Sequence, residues 1–242
     1  HLDEGMALMM ERLLEPAFTE EDFNRLKSQT MEALQQARKS GPSLAARAVG
    51  AVLAGPEHPL SYSGSGLPST VANISLEDVR SFYAAHIPSR LEGVLVSTSL
   101  PKETALASLV SLGRLQTGEF VREPIESLPD ISGRTLYLVH KEDAAQSSLA
   151  MAHSSLKYDA LGDYYLAGLM NFNLGGTFDS RINLHLREEK GYTYGIRSGF
   201  SGGPELGSFR ISSEINKDAT TDAISEVIRE LESYSRDGMT PE

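Results

Sequence analysis

The stretch Leu174-Gly175-Gly176-Thr177-Phe178-Asp179-Ser180-Arg181, continuing through Leu186-Arg187-Glu188-Glu189-Lys190-Gly191-Tyr192-Thr193-Tyr194-Gly195, decides how the rest of the chain reads. It spells a glycine pair, a helix, a glycine stop and a strand. Gly175 and Gly176 carry no Cβ, so the backbone there can turn tightly or be approached closely. Phe178, Ile182, Leu186 and, less squarely, Leu184 make an apolar helix face. Gly191 stands where a helix C-terminus favours positive φ. From Tyr192 the period becomes two, which predicts Tyr192, Tyr194, Ile196, Ser198 and Phe200 on one face of a strand.

That layout carries chemistry. Arg187 falls in the last helical turn and Tyr194 early in the strand, with the reversal at Gly191 between them. A guanidinium and a phenol can then point into one cleft. Both donate hydrogen bonds, and the guanidinium is permanently charged. The pair suits a peptide carbonyl, or the oxyanion that develops from it. The strand also offers backbone groups to which a peptide could add by ladder pairing. Spacing by itself gives more weight to a structural reading, in which Arg187 offsets the helix dipole and Tyr194 joins the core.

The 242 residues suffice for one large domain or two small ones, and 40% hydrophobic content supports a packed core. No apolar run approaches the length of a membrane span, no signal peptide opens the chain, and no membrane partner is expected. The opening His1-Leu2-Asp3-Glu4-Gly5 and the closing Met239-Thr240-Pro241-Glu242 read as cuts through something longer. A net charge of −11 repels a phosphate backbone, which argues against nucleic acid. With no cysteine there is no disulfide and no thiolate chemistry; an extracytoplasmic compartment fits this, and a cytoplasmic one is not excluded.

No two of the six histidines stand at i, i+3 or i, i+4, the spacings that place imidazoles on one helical face. His1-Leu2-Asp3-Glu4-Gly5 imitates the start of an H-x-x-E-H motif, but Gly5 occupies the second histidine's place. There is no G-x-S-x-G elbow and no phosphate loop, and Ser180 beside Arg181 has no histidine to serve it.

Along the chain, helices are predicted over 2–14, from Thr19 to about Ser40, over 44–54 after a break at Gly41-Pro42, over 76–86, and from Pro101 to about Leu112. Thr19/Asp22 and Ser75/Asp78 supply capping signals. Residues 93–97 read as a buried strand and 113–133 as a linker. Strands follow over 134–140 and 146–154, then a helix over 163–172 and the stretch quoted above. Alternation at Phe209, Ile211, Ser213 and Ile215 gives a returning hairpin strand before a last helix that Gly238 closes. The order predicts an α+β fold of antiparallel sheets with helices packed on one face.

The quoted stretch, with Asp163-Tyr164-Tyr165 and Gln146 ahead of it, resembles the pitrilysin, insulysin and mitochondrial processing peptidase group of zinc peptidases. Ile74-Ser75-Leu76-Glu77-Asp78-Val79-Arg80-Ser81-Phe82-Tyr83, and Pro16-Ala17-Phe18 with Phe23 and Lys27, extend the resemblance over most of the chain. It implies two partial domains, the later part of a first over 1–112 and the early part of a second over 134–242. It also implies that Arg187 and Tyr194, with Gly175 and Gly176 beside them, bind a peptide substrate in a chamber shared with a zinc-bearing catalytic subunit or half. The zinc motif would lie upstream of His1. The family's third zinc ligand aligns with Ala33, whose methyl cannot bind metal, and Glu32 faces about 100° away on an ideal helix.

The resemblance therefore implies the non-catalytic half, with no catalytic residue and no metal ligand in this chain and with zinc in the partner. A scaffold subunit with no peptidase role, or an active protease truncated before its zinc helix, are the competing readings. The partial domains would pair within one chain or exchange in a homodimer.

Overall fold

The computed structural model describes residues 1–55, 57–87, 97–115, 129, 131–204 and 206–239. The helices are α1 (Leu2–Leu14), α2 (Glu20–Ala37), α3 (Gly41–Ala54), α4 (Pro68–Asn73), α5 (Leu76–His86) and α6 (Lys102–Ser108), then β1 (Gln146–Ser155), α7 (Asp163–Asn171), the short α8 (Arg181–Asn183), β2 (Thr193–Gly202), β3 (Gly207–Asn216) and α9 (Thr220–Asp237). The expected strand over 93–97 falls, all but Ser97, outside the described residues, as does most of the 113–133 linker.

Two compact units divide the chain. One holds 1–34 and 65–124, the other 35–64 and 125–242, so the division falls inside α2. The expected boundary differs at 35–64, which groups with the sheet.

In the first unit, local chemistry sets the helix ends. Ser75 Oγ accepts from Asp78 N–H while the Asp78 carboxylate accepts from Ser75 N–H at 2.7 Å, a reciprocal cap on α5. These hydrogen bonds from Ser75 hold the Asp78 carboxyl below its usual range. Lys27 donates to Ala72 O and Ile74 O at 2.8 and 2.7 Å, closing the carbonyl end of α4. Tyr83 OH reaches Leu13 O at 2.6 Å, with its ring 5.1 Å from that of Phe18.

The second unit is built on one antiparallel sheet of order β1-β3-β2. Its core face is formed by Ile196 from β2 and Phe209, Ile211 and Ile215 from β3, against Ile182, Leu186 and the α9 residues Ala223 and Val227. Seven of these eight are at most 1% exposed and Phe209 is 6%. Each fully buried Ile or Leu contributes on the order of 2 kcal/mol through apolar burial. The α9 pattern places Val227 and Tyr234 inward, and Tyr234 OH bonds to Met170 O at 2.9 Å. The other face of the sheet carries Ser148 and Glu214, hydrogen-bonded at 2.9 Å. Gly41, at the start of α3, lies against Ser148 so closely that a Cβ there would overlap the Ser148 hydroxyl. The Gly41-Pro42 pair therefore opens α3 rather than breaking a helix: Pro42 sits in the first turn and Ser40 is the cap.

One expected strand does not form. Residues 134–140 join no ladder, and Leu136 and Leu138 are 78% and 88% exposed. Alternating sequence supplies strand propensity but names no partner, and a strand exists only through pairing.

The glycine pair has a structural task. A Cβ on Gly175 would overlap Ser198 Oγ and crowd Ile182 Cδ1, while one on Gly176 would stand 3.1 Å from Asn171 O. We expect Gly175→Ala to destabilise the chain by about 1–3 kcal/mol through overpacking; the fall of the urea midpoint checks this.

Candidate functional site

Two wide π turns flank α8: Phe172–Gly176 before it and Leu184–Glu189 after it. Such turns are rare and often mark functional places. The second carries Arg187. Its end is fixed by Lys190 N–H donating to His185 O and Tyr192 N–H donating to Leu186 O, across Gly191 at φ +66°. Only glycine adopts that φ without strain, so the reversal read from the sequence is present.

The strand after it departs from simple alternation. The β2–β3 register shifts between Thr193 and Ile196. Thr193 Oγ1 lies within hydrogen-bond distance of Gly195 N, Glu214 O and Ser213 Oγ, which holds this bulge. Asn183, fully buried, closes it from the other side: its Oδ1 accepts from Ile196 N–H at 2.9 Å and its Nδ2 donates to Phe178 O at 2.6 Å. As a result Tyr194 and Ile196 do not share a face. Ile196 is sealed in the core, whereas Tyr194 is 90% exposed. The expected common face of Tyr192 through Phe200 is thereby corrected at Tyr194.

Arg187 and Tyr194 line the same open cleft of about 580 Å³, with Gln146, Glu188, Tyr192 and Asn216 among its walls. The Arg187 guanidinium lies 4.3 Å from the Phe178 ring centroid and 2.8 Å from a Glu188 carboxylate oxygen. Among the described residues the Tyr194 hydroxyl has no hydrogen-bond partner and remains available to donate. Gly175 and Gly176 do not line this cleft; Gly175 packs against Ser198 of β2 and Gly176 against Asn171. Strand addition to β2 meets an obstacle too. Alternate residues aim their backbone groups at the same side of a strand. On the outer side, Ile196 N–H is taken by Asn183, Ser198 O by Asn171 Nδ2 and Phe200 O by Tyr164 OH. Ladder pairing over 196–200 would have to break all three.

Behind Arg187, His185 ties the turn to α9. Its Nδ1 is 2.7 Å from Glu189 and its Nε2 is 3.1 Å from Glu226. Glu226 also meets Arg229 at 2.6 Å and Lys190 at 3.7 Å. Burial opposes protonation of His185, but the Glu226 and Glu189 carboxylates outweigh it and its pKa rises above the usual 6.5. The hydrogen bond from His185 leads the causes that lower Glu226. No spacing rule in the sequence pairs positions 41 residues apart, so this network was not readable there.

Among the described residues no three His, Asp or Glu side chains converge to hold a metal. The exposed methyl of Ala33 on α2 is no ligand either.

An antiparallel sheet backed by helices, with an arginine turn and a tyrosine strand joined by one glycine, makes this an α+β domain. The model of the peptidase M16 inactive domain matches residues 73–242, and the chain belongs to that family. The chain is 25% identical to the non-peptidase homolog YmxG of Helicobacter pylori over 98% of its own length and 54% of that protein. In fold it is similar to a peptidase M16 inactive domain from Pseudomonas fluorescens, with TM-score 0.82 and 23% identity over 98% of this chain and 57% of that one. It is likewise similar to a protease from Helicobacter pylori, with TM-score 0.82 and 16% identity over 99% and 58%. The chain thus spans about half the length of the relatives it matches. Among the described residues no helix is long and apolar enough to cross a membrane.

The His185 network has opposed pH windows. His185, with its raised pKa, adds stability that is fully present below the unfolded value near 6.5 and is lost as pH rises through the folded value. Glu226, with its lowered pKa, adds stability that is present above its unfolded value and is lost as pH falls through the folded one. Urea titrations from pH 6 to 9 should show the midpoint falling in the native chain and a flatter profile in His185→Gln.

Proposed function

We propose that this chain is the substrate-binding, non-catalytic portion of an M16 zinc metallopeptidase. In this reading Arg187 and Tyr194 grip a peptide in a site completed by a zinc-bearing homologous subunit or half. The observation that carries it is their meeting in one open cleft, with the Tyr194 hydroxyl unspent and 90% of the residue exposed. A core tyrosine and a dipole-neutralising arginine would have no reason to share a solvent-filled wall. The guanidinium supplies a fixed positive charge and the phenol a neutral donor, a combination that suits a scissile carbonyl gaining negative charge.

Zinc belongs to the partner in this proposal. The described residues offer no ligand set. The chain by itself binds no tight zinc equivalent and cleaves no peptide. The absence of cysteine suits an oxidising, extracytoplasmic compartment.

In the pair reconstituted with its zinc-bearing half, Arg187→Ala should lower kcat/KM for peptide cleavage about a hundredfold, at the low end of the cost of removing one donor to a developing oxyanion, and Tyr194→Phe should lower it by less. Unchanged kcat/KM in Arg187→Ala would instead make this a scaffold subunit. One tight equivalent of zinc titrated into the chain alone would refute the non-catalytic assignment, and an intact H-x-x-E-H upstream of His1 would favour a truncated active protease.

A further inference from the structure

Phe178 was expected on the buried face of its helix, together with Ile182 and Leu186. Those two are sealed completely, yet Phe178 is 51% exposed. Its exposure is built in: the fully buried Asn183 amide holds the Phe178 carbonyl at 2.6 Å and fixes where this residue leaves the core.

Two guanidiniums approach the ring. Arg187 Cζ lies 4.3 Å and Arg197 Cζ 5.7 Å from its centroid. A guanidinium near an aromatic ring gains quadrupole attraction, and here one ring serves two of them. The partners of the two differ from those of the neighbouring Arg181, which is spent on Glu230 at 2.6 Å and Ser233 at 2.9 Å. Among the described residues, the carboxylate that Arg187 meets is the half-exposed Glu188. Arg197 is exposed and, among the described residues, pairs with no carboxylate; its Nη1 donates to Ile196 O at 3.2 Å.

We infer that Phe178, Arg187 and Arg197 form a carboxylate-binding subsite next to the cleft wall that Arg187 lines, which takes an acidic group of a bound peptide. The planar fork of arginine matches a carboxylate in two parallel hydrogen bonds, and the ring keeps both forks oriented while the pocket is empty. Because β2's outer backbone groups are occupied by Asn183, Asn171 and Tyr164, strand pairing cannot set the register of the peptide over 196–200. A charged anchor at the rim then sets it. The inference rests on the peptide-binding reading of Arg187 and Tyr194 and adds a preference to it. The carboxylate can come from a Glu or Asp side chain or from the peptide's own C-terminus.

Calorimetric titration of the 242-residue chain with three peptides tests this: Ac-Ala-Ala-Glu-Ala-Ala-Ala-NH2, its Gln counterpart, and the Gln peptide with a free C-terminal carboxylate. At least one carboxylate-bearing peptide should bind about fivefold more tightly than the amidated Gln peptide, the scale of a favourable exposed Arg–carboxylate pair. The advantage should vanish in Arg197→Gln, with affinity for the amidated Gln peptide unchanged, and should shrink as salt is raised. Which peptide gains identifies the source of the carboxylate. Equal binding of all three overturns the subsite and leaves peptide engagement by Arg187 and Tyr194 standing. No binding of any of them overturns the subsite, and the kcat/KM of Arg187→Ala in the reconstituted pair decides the reading beneath it.

Discussion

A single buried amide holds the functional half of this molecule in place. Asn183 has no exposure to solvent, so each end of its side chain must find a partner inside. It finds the carbonyl of Phe178 and the amide of Ile196, 13 residues ahead in β2. Loss of either would leave an unpaired polar group in an apolar setting, at a cost of about 1–3 kcal/mol. The helix-side turn and the strand therefore cannot slip past one another. The bulge at Thr193, the outward swing of Tyr194 and the escape of Phe178 from the core all follow from that register. Asn171 repeats the arrangement two residues further along β2, where its amide donates to Ser198 O and accepts from Ser198 Oγ. The apolar cluster beneath supplies most of the stabilisation; the two amides decide where the strand lies.

The residues through which the chain resembles its family separate by task. Arg187 and Tyr194 stand at the cleft wall. Gly175 lets the first π turn reach Ser198, and so belongs to the packing beneath the site. Lys27 tethers α2 to the carbonyl end of α4. Shared motifs in this chain are thus partly instructions for assembly, and only part of them touches whatever enters the cleft.

How much of this was legible depended on whether a signal is local. The caps at Ser75 and Asp78, the apolar period of α9, the alternation of β3 and the reversal at Gly191 are all set by residues near in sequence, and all four appear in the structure. The phase of Tyr194 was misread because a bulge depends on partners elsewhere, here Ser213, Glu214 and Asn183. Phe178 is misplaced for the same reason: helical spacing cannot know that the Asn183 amide, itself tied to a later strand, holds its carbonyl. Residues 134–140 carry the alternation of a strand, and only three dimensions reveal that no described strand pairs with them. An asparagine inside a short helix attracts no notice in a sequence, although Asn183 proves decisive.

The stoppered flank of β2 bears on how this chain behaves in a crowded solution. An open sheet margin is an invitation to any loose strand, including one from a neighbouring copy. Here three side chains, contributed by α7 and α8, sit where such a strand would dock. That side is blunt without the lysines or prolines that edges commonly use, and the molecule can keep an open cleft next to it without being zipped into a fibre of its own kind.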